Sequence, residues 1–206
     1  MTDATQQTVF IVDDEVAILD SLRMLMVSEN LHVETFTSAQ AFINSYTPDQ
    51  SGCLLLDIRM PVMSGLELQQ HLNRQQYFLP IIFITGHGDV PMVVNAIKNG
   101  AEDFIQKPFK DNELLKKIEL ALKKDRQQRD KEENISQLQK CFHSLTPRER
   151  EVMEKMIIGD ASKVIAYKIG ISQRTVDIHR AHVMKKTQAK SLAELVTMAT
   201  KLKLAE

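Results

Sequence analysis

Five polar side chains in the first block of the sequence have the types and the order to do chemistry together: Asp13, Asp14, Asp57, Thr85 and Lys107, the last followed by Pro108. Each directly follows, or lies within two residues of, a short run of β-forming residues. In a parallel sheet such positions share one edge, the carboxyl ends of the strands, where ligands bind. Three carboxylates gathered there repel one another, and a hard divalent cation relieves the repulsion; Mg²⁺ takes a few carboxylate oxygens and keeps several waters. A cation held by carboxylates, with a hydroxyl and an ammonium beside it, suits phosphoryl transfer, whose peripheral oxygens need neutralising. One carboxylate can be the nucleophile. Attack by Asp57 would give an acyl phosphate, with Lys107 pairing with one phosphoryl oxygen and Thr85 donating to another. Gly86 leaves room for the group to enter. Singly, an aspartate after a strand is usually a turn residue; the ordered set carries the inference.

The elements that must position these groups are legible in the pattern. Thr8–Val12, His32–Phe36, Cys53–Leu56, Ile81–Ile84 and Asp103–Ile105 are strand candidates, and the first, third and fourth are nearly all apolar, as strands covered on both faces must be. Helical stretches separate them. Ile18, Leu22, Leu25 and Met26 recur at helical spacing, Ser64-Gly65-Leu66-Glu67 reads as a capping box, and a helix from Val90, capped by Asp89, ends at Gly100. Successive βα units predict an α/β, doubly wound domain with a parallel sheet. His87 lies beside Thr85 and reads as an exposed loop residue rather than a proton relay.

The rest of the chain differs in kind. Leu114, Leu115, Ile118 and Leu122 form an apolar stripe that gives way to a charged, Gln-rich run, so residues 1–122 form the first domain and residues 123–143 a linker helix. A heptad continued through Asp125, Arg129 and Glu132 puts charges in the seam, which predicts a solvated helix rather than a coiled coil. Residues 144–206 are all helical: Thr146-Pro147-Arg148-Glu149 opens one helix, Gly159 and Gly170 end two, Ser172 caps a third and Ser191 a fourth. Helix, tight turn at Gly170 and a helix over residues 173–187 describe a helix-turn-helix, with Val176, Val183, Met184 and part of His179 facing its core.

Composition agrees. The 206 residues are 43% hydrophobic and 26% charged, values of a folded protein, and their length suits two modest domains. No apolar run approaches the roughly 20 residues that span a bilayer, and the polar start lacks the order of a signal peptide. Two distant cysteines, Cys53 and Cys141, make neither a disulfide framework nor a zinc site, and His179 with His182 lacks a third ligand, so a reducing cytoplasm is expected. Net charge is −6 over residues 1–124 and +5 over residues 144–206, consistent with a cation at one end and a polyanion at the other.

Residues 8–122 resemble the receiver domain of two-component response regulators. The motifs are Val12-Asp13-Asp14-Glu15, the run from Leu56 through Asp57-Ile58-Arg59-Met60-Pro61 to Gly65, Ile84-Thr85-Gly86 and Phe104-Ile105-Gln106-Lys107-Pro108. The resemblance implies a flavodoxin-like sheet of order 2-1-3-4-5 and Asp57 as phosphoacceptor. It also implies Mg²⁺ held by Asp14, Asp57 and the Arg59 carbonyl with Asp13 assisting through water, a cis bond between Lys107 and Pro108, and Phe104 as switch aromatic. Residues 145–203 are similar to the LuxR/FixJ type of DNA-binding domain, through Leu145-Thr146-Pro147-Arg148-Glu149, Lys163-Val164-Ile165-Ala166 and Ser172 through Arg180. By that likeness Asp177, Ile178 and Ala181 face base edges, Lys163, Thr175, His179 and Lys186 meet phosphates, and Arg180 suits either. Many relatives carry lysine at position 177; an aspartate accepts instead from cytosine N4.

Together the halves look like a FixJ-like regulator of the NarL/FixJ subfamily. The implied partners are a sensor histidine kinase, double-stranded promoter DNA, RNA polymerase and a second copy joined through the Val90–Gly100 helix and the Phe104 strand. No enzymatic turnover beyond its own phosphorylation and dephosphorylation is implied, and no membrane. Two alternatives stay open: a Mg²⁺-dependent phosphatase or phosphotransferase built on the same pocket, and a DNA binder whose receiver is never phosphorylated.

Overall fold

The computed structural model describes residues 6–86 and 90–202, the side chains of Val90 and Pro91 excepted. His87 and Asp89 lie outside the described residues. The chain divides into two compact units, the first ending at Gln128 and the second beginning at Arg129.

The first unit alternates strand and helix. Strands β1 (Thr8–Val12), β2 (His32–Phe36), β3 (Gly52–Asp57), β4 (Ile81–Thr85) and β5 (Asp103–Gln106) are interleaved with α1 (Val16–Ser28), α2 (Ala39–Ser45), α3 (Gly65–Arg74) and α4 (Val90–Lys98), and α5 (Asp111–His143) follows. All neighbouring strands pair in parallel, in the order β2-β1-β3-β4-β5. The period of two along each strand sorts the apolar residues. Phe10, Val12, Leu54, Leu56 and Phe83 point to one face, where Phe42, Leu68, Leu72 and Ala96 of α2, α3 and α4 cover them. Val9, Ile11, Leu55, Ile82 and Ile84 point to the other, under Leu19, Leu22 and Met26 of α1 and Leu114, Ile118 and Ala121 of α5. Both faces are therefore dry, which is why the central strands read as unbroken apolar runs.

The helix starts follow the capping chemistry in the sequence. Ser64 and Glu67 form a reciprocal capping box at α3, and Ser38 accepts from Ala41 N–H at α2.

One expectation is corrected. Asp125 was placed by its heptad position in a solvated linker, yet its side chain is fully buried, at 0% exposure. Its Oδ2 accepts from Ser51 Oγ at 2.5 Å, the Gly52 N–H at 2.9 Å and Gln7 Nε2 at 3.4 Å. The heptad register failed because α5 still packs on the sheet at this point: Asp125 meets the start of β3, not a partner helix. Burial and the Asp125 charge together push the neighbouring Cys53 thiol up, so it stays protonated.

The second unit packs α6 (Pro147–Ile157), α7 (Ser162–Ile169), α8 (Gln173–Thr187) and α9 (Leu192–Lys201) around Val152, Met156, Ile165, Val176, Val183 and Leu195, with Phe142 of α5 joining them. Thr146 and Glu149 make the expected capping box with Pro147 in the first turn. Between α7 and α8 Gly170 adopts φ 70°, a left-handed turn that ends the first helix, and Ser172 accepts from Thr175 N–H to start the second.

Candidate functional site

The sheet order reverses direction between β1 and β3, the crevice where an open α/β sheet presents a site. Asp13 follows β1 directly and Asp57 ends β3, so the topology alone puts the two carboxylates side by side. Both are buried, with Asp13 at 0% exposure. Lys107, arriving from the end of β5, bridges them: its Nζ lies 3.0 Å from Asp13 Oδ2 and 3.1 Å from Asp57 Oδ1. Glu15 stands 3.9 Å from the same ammonium. The Lys107–Pro108 bond is cis, and the Lys107 N–H donates to the Thr85 carbonyl at 2.7 Å, so the end of β4 fixes the backbone that aims the lysine. Thr85 itself is buried.

Backbone donors hold the other carboxylate oxygens. Asp13 Oδ1 accepts from Glu15 N–H at 2.9 Å, and Asp57 Oδ2 from Arg59 N–H at 2.6 Å. The loop after β3 is also closed tightly on Asp57, because a Cβ at residue 65 would lie 2.2 Å from the Asp57 carbonyl oxygen. Only glycine fits there.

The electrostatics are unbalanced in a useful direction. Burial is the largest influence on Asp57 and raises its pKa; the Lys107 charge and hydrogen bond lower it, the Asp13 charge raises it and the Arg59 N–H lowers it, with a net rise. For Lys107, burial pulls the pKa down, but the hydrogen bonds and charges of Asp13 and Asp57 outweigh it and the net shift is upward. The two results fit together: the ammonium has two carboxylates to itself, whereas Asp57 has to share one ammonium with Asp13. Uncompensated negative charge remains, which a hard cation with a preference for oxygen would relieve.

The sequence expected three carboxylates at this mouth. The structure ties Asp13 and Asp57 through Lys107 and leaves Asp14 exposed, and among the described residues no group of three or more acidic, imidazole or thiol side chains is disposed to hold a metal. A small carboxylate set nevertheless suits Mg²⁺, which binds through one or two carboxylates and keeps its waters. Glu15 was not singled out from sequence, although its place directly after the Asp13-Asp14 pair was the available signal.

In the second unit, α8 presents Arg174, Asp177, Ile178 and Ala181 to solvent, and Lys163 of α7 is exposed as well. Thr175 Oγ1 is hydrogen-bonded to Ser172 Oγ at 2.8 Å. Arg180 and His179 are half-buried, and His179 Nδ1 is buried with no hydrogen-bond partner. Lys186 has an internal partner that sequence reasoning missed: its Nζ lies 2.6 Å from Glu149 Oε2 and 3.2 Å from the Ser144 carbonyl, so its charge ties α8 to the start of α6. That hydrogen bond, with those from Thr146, holds the Glu149 carboxyl down to about 2. The capping box gave a signal for Glu149 but none for Lys186.

The geometry agrees with what the chain is similar to. Residues 9–119 match the model of the response regulator receiver domain, and residues 143–199 that of bacterial regulatory proteins of the luxR family. Nodulation protein W of Bradyrhizobium diazoefficiens is 44% identical over 199 residues, covering 97% of this chain and 88% of the relative. Transcriptional regulatory protein FixJ of Azorhizobium caulinodans is 44% identical over 191 residues, covering 93% and 90%. Among solved structures, response regulator StyR superposes with a TM-score of 0.90 at 44% identity, covering 95% of this chain and 99% of that one. Full-length FixJ from B. japonicum gives a TM-score of 0.60 at 40% identity, covering 98% and 100%. With both halves matched and relatives spanning nearly its whole length, the chain belongs to the FixJ-like two-component response regulators, a receiver domain joined to a LuxR-type helix-turn-helix.

Proposed function

We propose that the chain is a transcription regulator switched on by phosphorylation of Asp57, with a sensor histidine kinase as donor and double-stranded promoter DNA as target. The observation that carries this reading is the single Lys107 ammonium shared by two buried carboxylates at the sheet's switch point. In the step proposed, an Asp57 oxygen attacks the phosphorus of a phosphohistidine and the P–N bond breaks, its electron pair leaving on the imidazole nitrogen, which takes up a proton. Lys107 pairs with one phosphoryl oxygen and Thr85 donates to another. Asp57, Asp14 and the Arg59 carbonyl would hold Mg²⁺, with Asp13 assisting through water, and the cation would supply charge neutralisation for the group in transfer. The chain turns over no separate substrate; it catalyses only its own phosphorylation and dephosphorylation.

The added group brings about −1.5 to −2 charges beside Lys107, enough to bias a surface with two arrangements. That surface is α4 with β5, where Met92, Val94, Ile97 and Phe104 are exposed apolar side chains. Phe104, at 40% exposure, is the switch aromatic, and the patch joins two phosphorylated chains. Two copies of α8 then engage half-sites about one duplex turn apart. Asp177, Ile178 and Ala181 read bases, Lys163, Thr175 and His179 meet phosphates, Arg180 serves either, and Lys186 stays held at Glu149. RNA polymerase is the further partner, and the compartment is the cytoplasm. Among the described residues no helix is long and apolar enough to cross a membrane.

The test is Asp57→Asn in the whole chain, followed by sedimentation and DNA footprinting with acetyl phosphate or beryllofluoride. Wild type is expected to dimerise and protect its operator on activation, and the variant to do neither. Equal activation of the variant, or multiple turnover of simple phosphate esters by wild type, refutes the reading.

A further inference from the structure

Helix α4 carries Met92, Val94 and Ile97 of the exposed apolar patch, while Val93 and Ala96 on its other side are buried in the core. Its last turn is gripped from α3. Gln69 Nε2 donates to the Ala96 carbonyl at 2.9 Å and to the Asn99 carbonyl at 3.3 Å, and Asn73 Nδ2, one turn farther along α3, donates to the same Asn99 carbonyl at 2.8 Å. The amide cannot be turned over, because both of its neighbours are carbonyl oxygens that only accept. Nor is the Ala96 carbonyl short of partners: the Asn99 and Ala101 N–H groups already reach it at 3.2 and 3.0 Å, closing the helix. Gln69 is 1% exposed, and its Oε1 is buried with no hydrogen-bond partner among the described residues. An unmade acceptor in a core costs about as much as two neutral hydrogen bonds return. An apolar side chain of the same length would fill the space without that cost, so the amide contributes little to net stability. What it adds is a fixed place for the end of α4.

The gripped end is the one remote from the phosphoacceptor. The chain enters α4 from Thr85, at the carboxyl ends of the strands, and leaves it for β5 at their amino ends, where the Glu102 N–H donates to the Ile81 carbonyl at 2.8 Å. The 9 residues of α4 separate its two ends by roughly 13 Å. We propose that Gln69 is a positioning residue for self-association: with Asn73 it pins the carboxyl end of α4, so that a change arriving at Thr85 turns the helix about that end and presents Met92, Val94 and Ile97 to a second copy in one arrangement. This rests on the reading above, in which esterified Asp57 drives pairing through α4 and β5. Without the pin the same change is spread over a shift of the whole helix, and the second copy meets several arrangements of the patch, which must be ordered at a cost before they fit.

The experiment uses the full chain, with and without beryllofluoride, and compares wild type with Gln69→Met, which keeps the length of the side chain and loses both donors. Phosphoramidate labelling of Asp57 should stay within about twofold of wild type, and the melting temperature within about 5 °C. Sedimentation of the activated variant should show a dimer dissociation constant raised about tenfold, about 1.4 kcal/mol. Hydrogen exchange reads the pin in wild type itself: activation should alter protection in the first turns of α4 and leave the Asn99 and Ala101 amides as they were, whereas in Gln69→Met those amides should respond as well. Equal dimer constants in wild type and variant overturn the assignment, as does a response of Asn99 and Ala101 in activated wild type. A larger fall in melting temperature, failure to fold, or a loss of labelling alongside the loss of pairing overturns it too, because the amide would then support the core or the phosphoacceptor site rather than place α4. If wild type takes no label at Asp57, or does not pair with beryllofluoride, the reading above falls and this assignment with it; if wild type does both and Gln69→Met matches it, the assignment alone falls.

Discussion

Asp125→Ala removes the acceptor at the foot of the sheet, and the structure sets the size of the effect. The carboxylate is fully buried and takes hydrogen bonds from Ser51 Oγ at 2.5 Å and Gly52 N–H at 2.9 Å, with Gln7 Nε2 farther at 3.4 Å. Alanine leaves the Ser51 hydroxyl and the Gly52 N–H without that partner, and each buried donor left unpaired costs about 1–3 kcal/mol. Against this stands the desolvation no longer borne by the carboxylate, which offsets part of the loss. A net destabilisation of about 2–4 kcal/mol follows, or a fall of roughly 6–20 °C in the melting temperature of a unit this size. The assay is urea unfolding followed at two probes, one in each unit, because the chain has two compact units and need not unfold as one. The transition of the first unit should move and that of the second should not. A loss below about 0.5 kcal/mol, within the range of ordinary surface substitutions, would refute the claim that Asp125 is a structural anchor. So would a shift confined to the second unit.

Other expectations are as direct. Glu149 has its pKa lowered from 4.5 to about 2, so its contribution to stability is complete above about pH 4.5 and is lost as pH falls toward 2; an acid-unfolding curve of the second unit should show this, and Lys186→Met should move the loss to higher pH. Gly65→Ala places a Cβ 2.2 Å from the Asp57 carbonyl oxygen; it should destabilise the first unit by about 1–3 kcal/mol and slow labelling by acetyl phosphate, and normal labelling with unchanged stability would show that the loop yields. Lys163→Ala should weaken binding to all DNA sequences alike and reduce the salt slope by about one per half-site. Asp177→Ala should instead relax base preference at one position and leave the slope alone. Chelation of divalent cations should abolish acetyl phosphate labelling of Asp57, read by mass spectrometry.

How far the sequence shows all this depends on the range of the interaction concerned. The strands and the position of the site were legible because they follow from local runs, several of them apolar stretches wet on neither face and closing on a polar residue, whereas the order of the strands came from the resemblance to receiver domains. Helix starts were legible because a capping box spans only four residues, as at Ser64 and Thr146. Asp125 was misread because its partners lie 73 and 74 residues away, and no periodicity along α5 reports the foot of β3. The Lys186–Glu149 pair was illegible for the same reason: the resemblance gave Lys186 a phosphate contact, and its partner Glu149 is 37 residues distant. Pairing of charges across the fold is settled by tertiary structure.

The same long-range pairing gives the proposed phosphorylation of Asp57 a route out of the pocket. Lys107 lies almost equally far from Asp13 and Asp57, 3.0 and 3.1 Å, so neither carboxylate owns the ammonium. Esterifying Asp57 converts a shared carboxylate into a group with about −1.5 to −2 charges and three acceptor oxygens, and the balance at Lys107 shifts toward it. Because the Lys107 N–H is bonded to the Thr85 carbonyl at 2.7 Å, a shift of the lysine is felt first at the junction of β4 and β5. Phe83 and Phe104 are paired across that junction, and Phe104 belongs to the exposed apolar patch proposed to join two chains. Replacing Lys107 by methionine should therefore leave Asp57 able to be esterified, though more slowly, while uncoupling esterification from self-association.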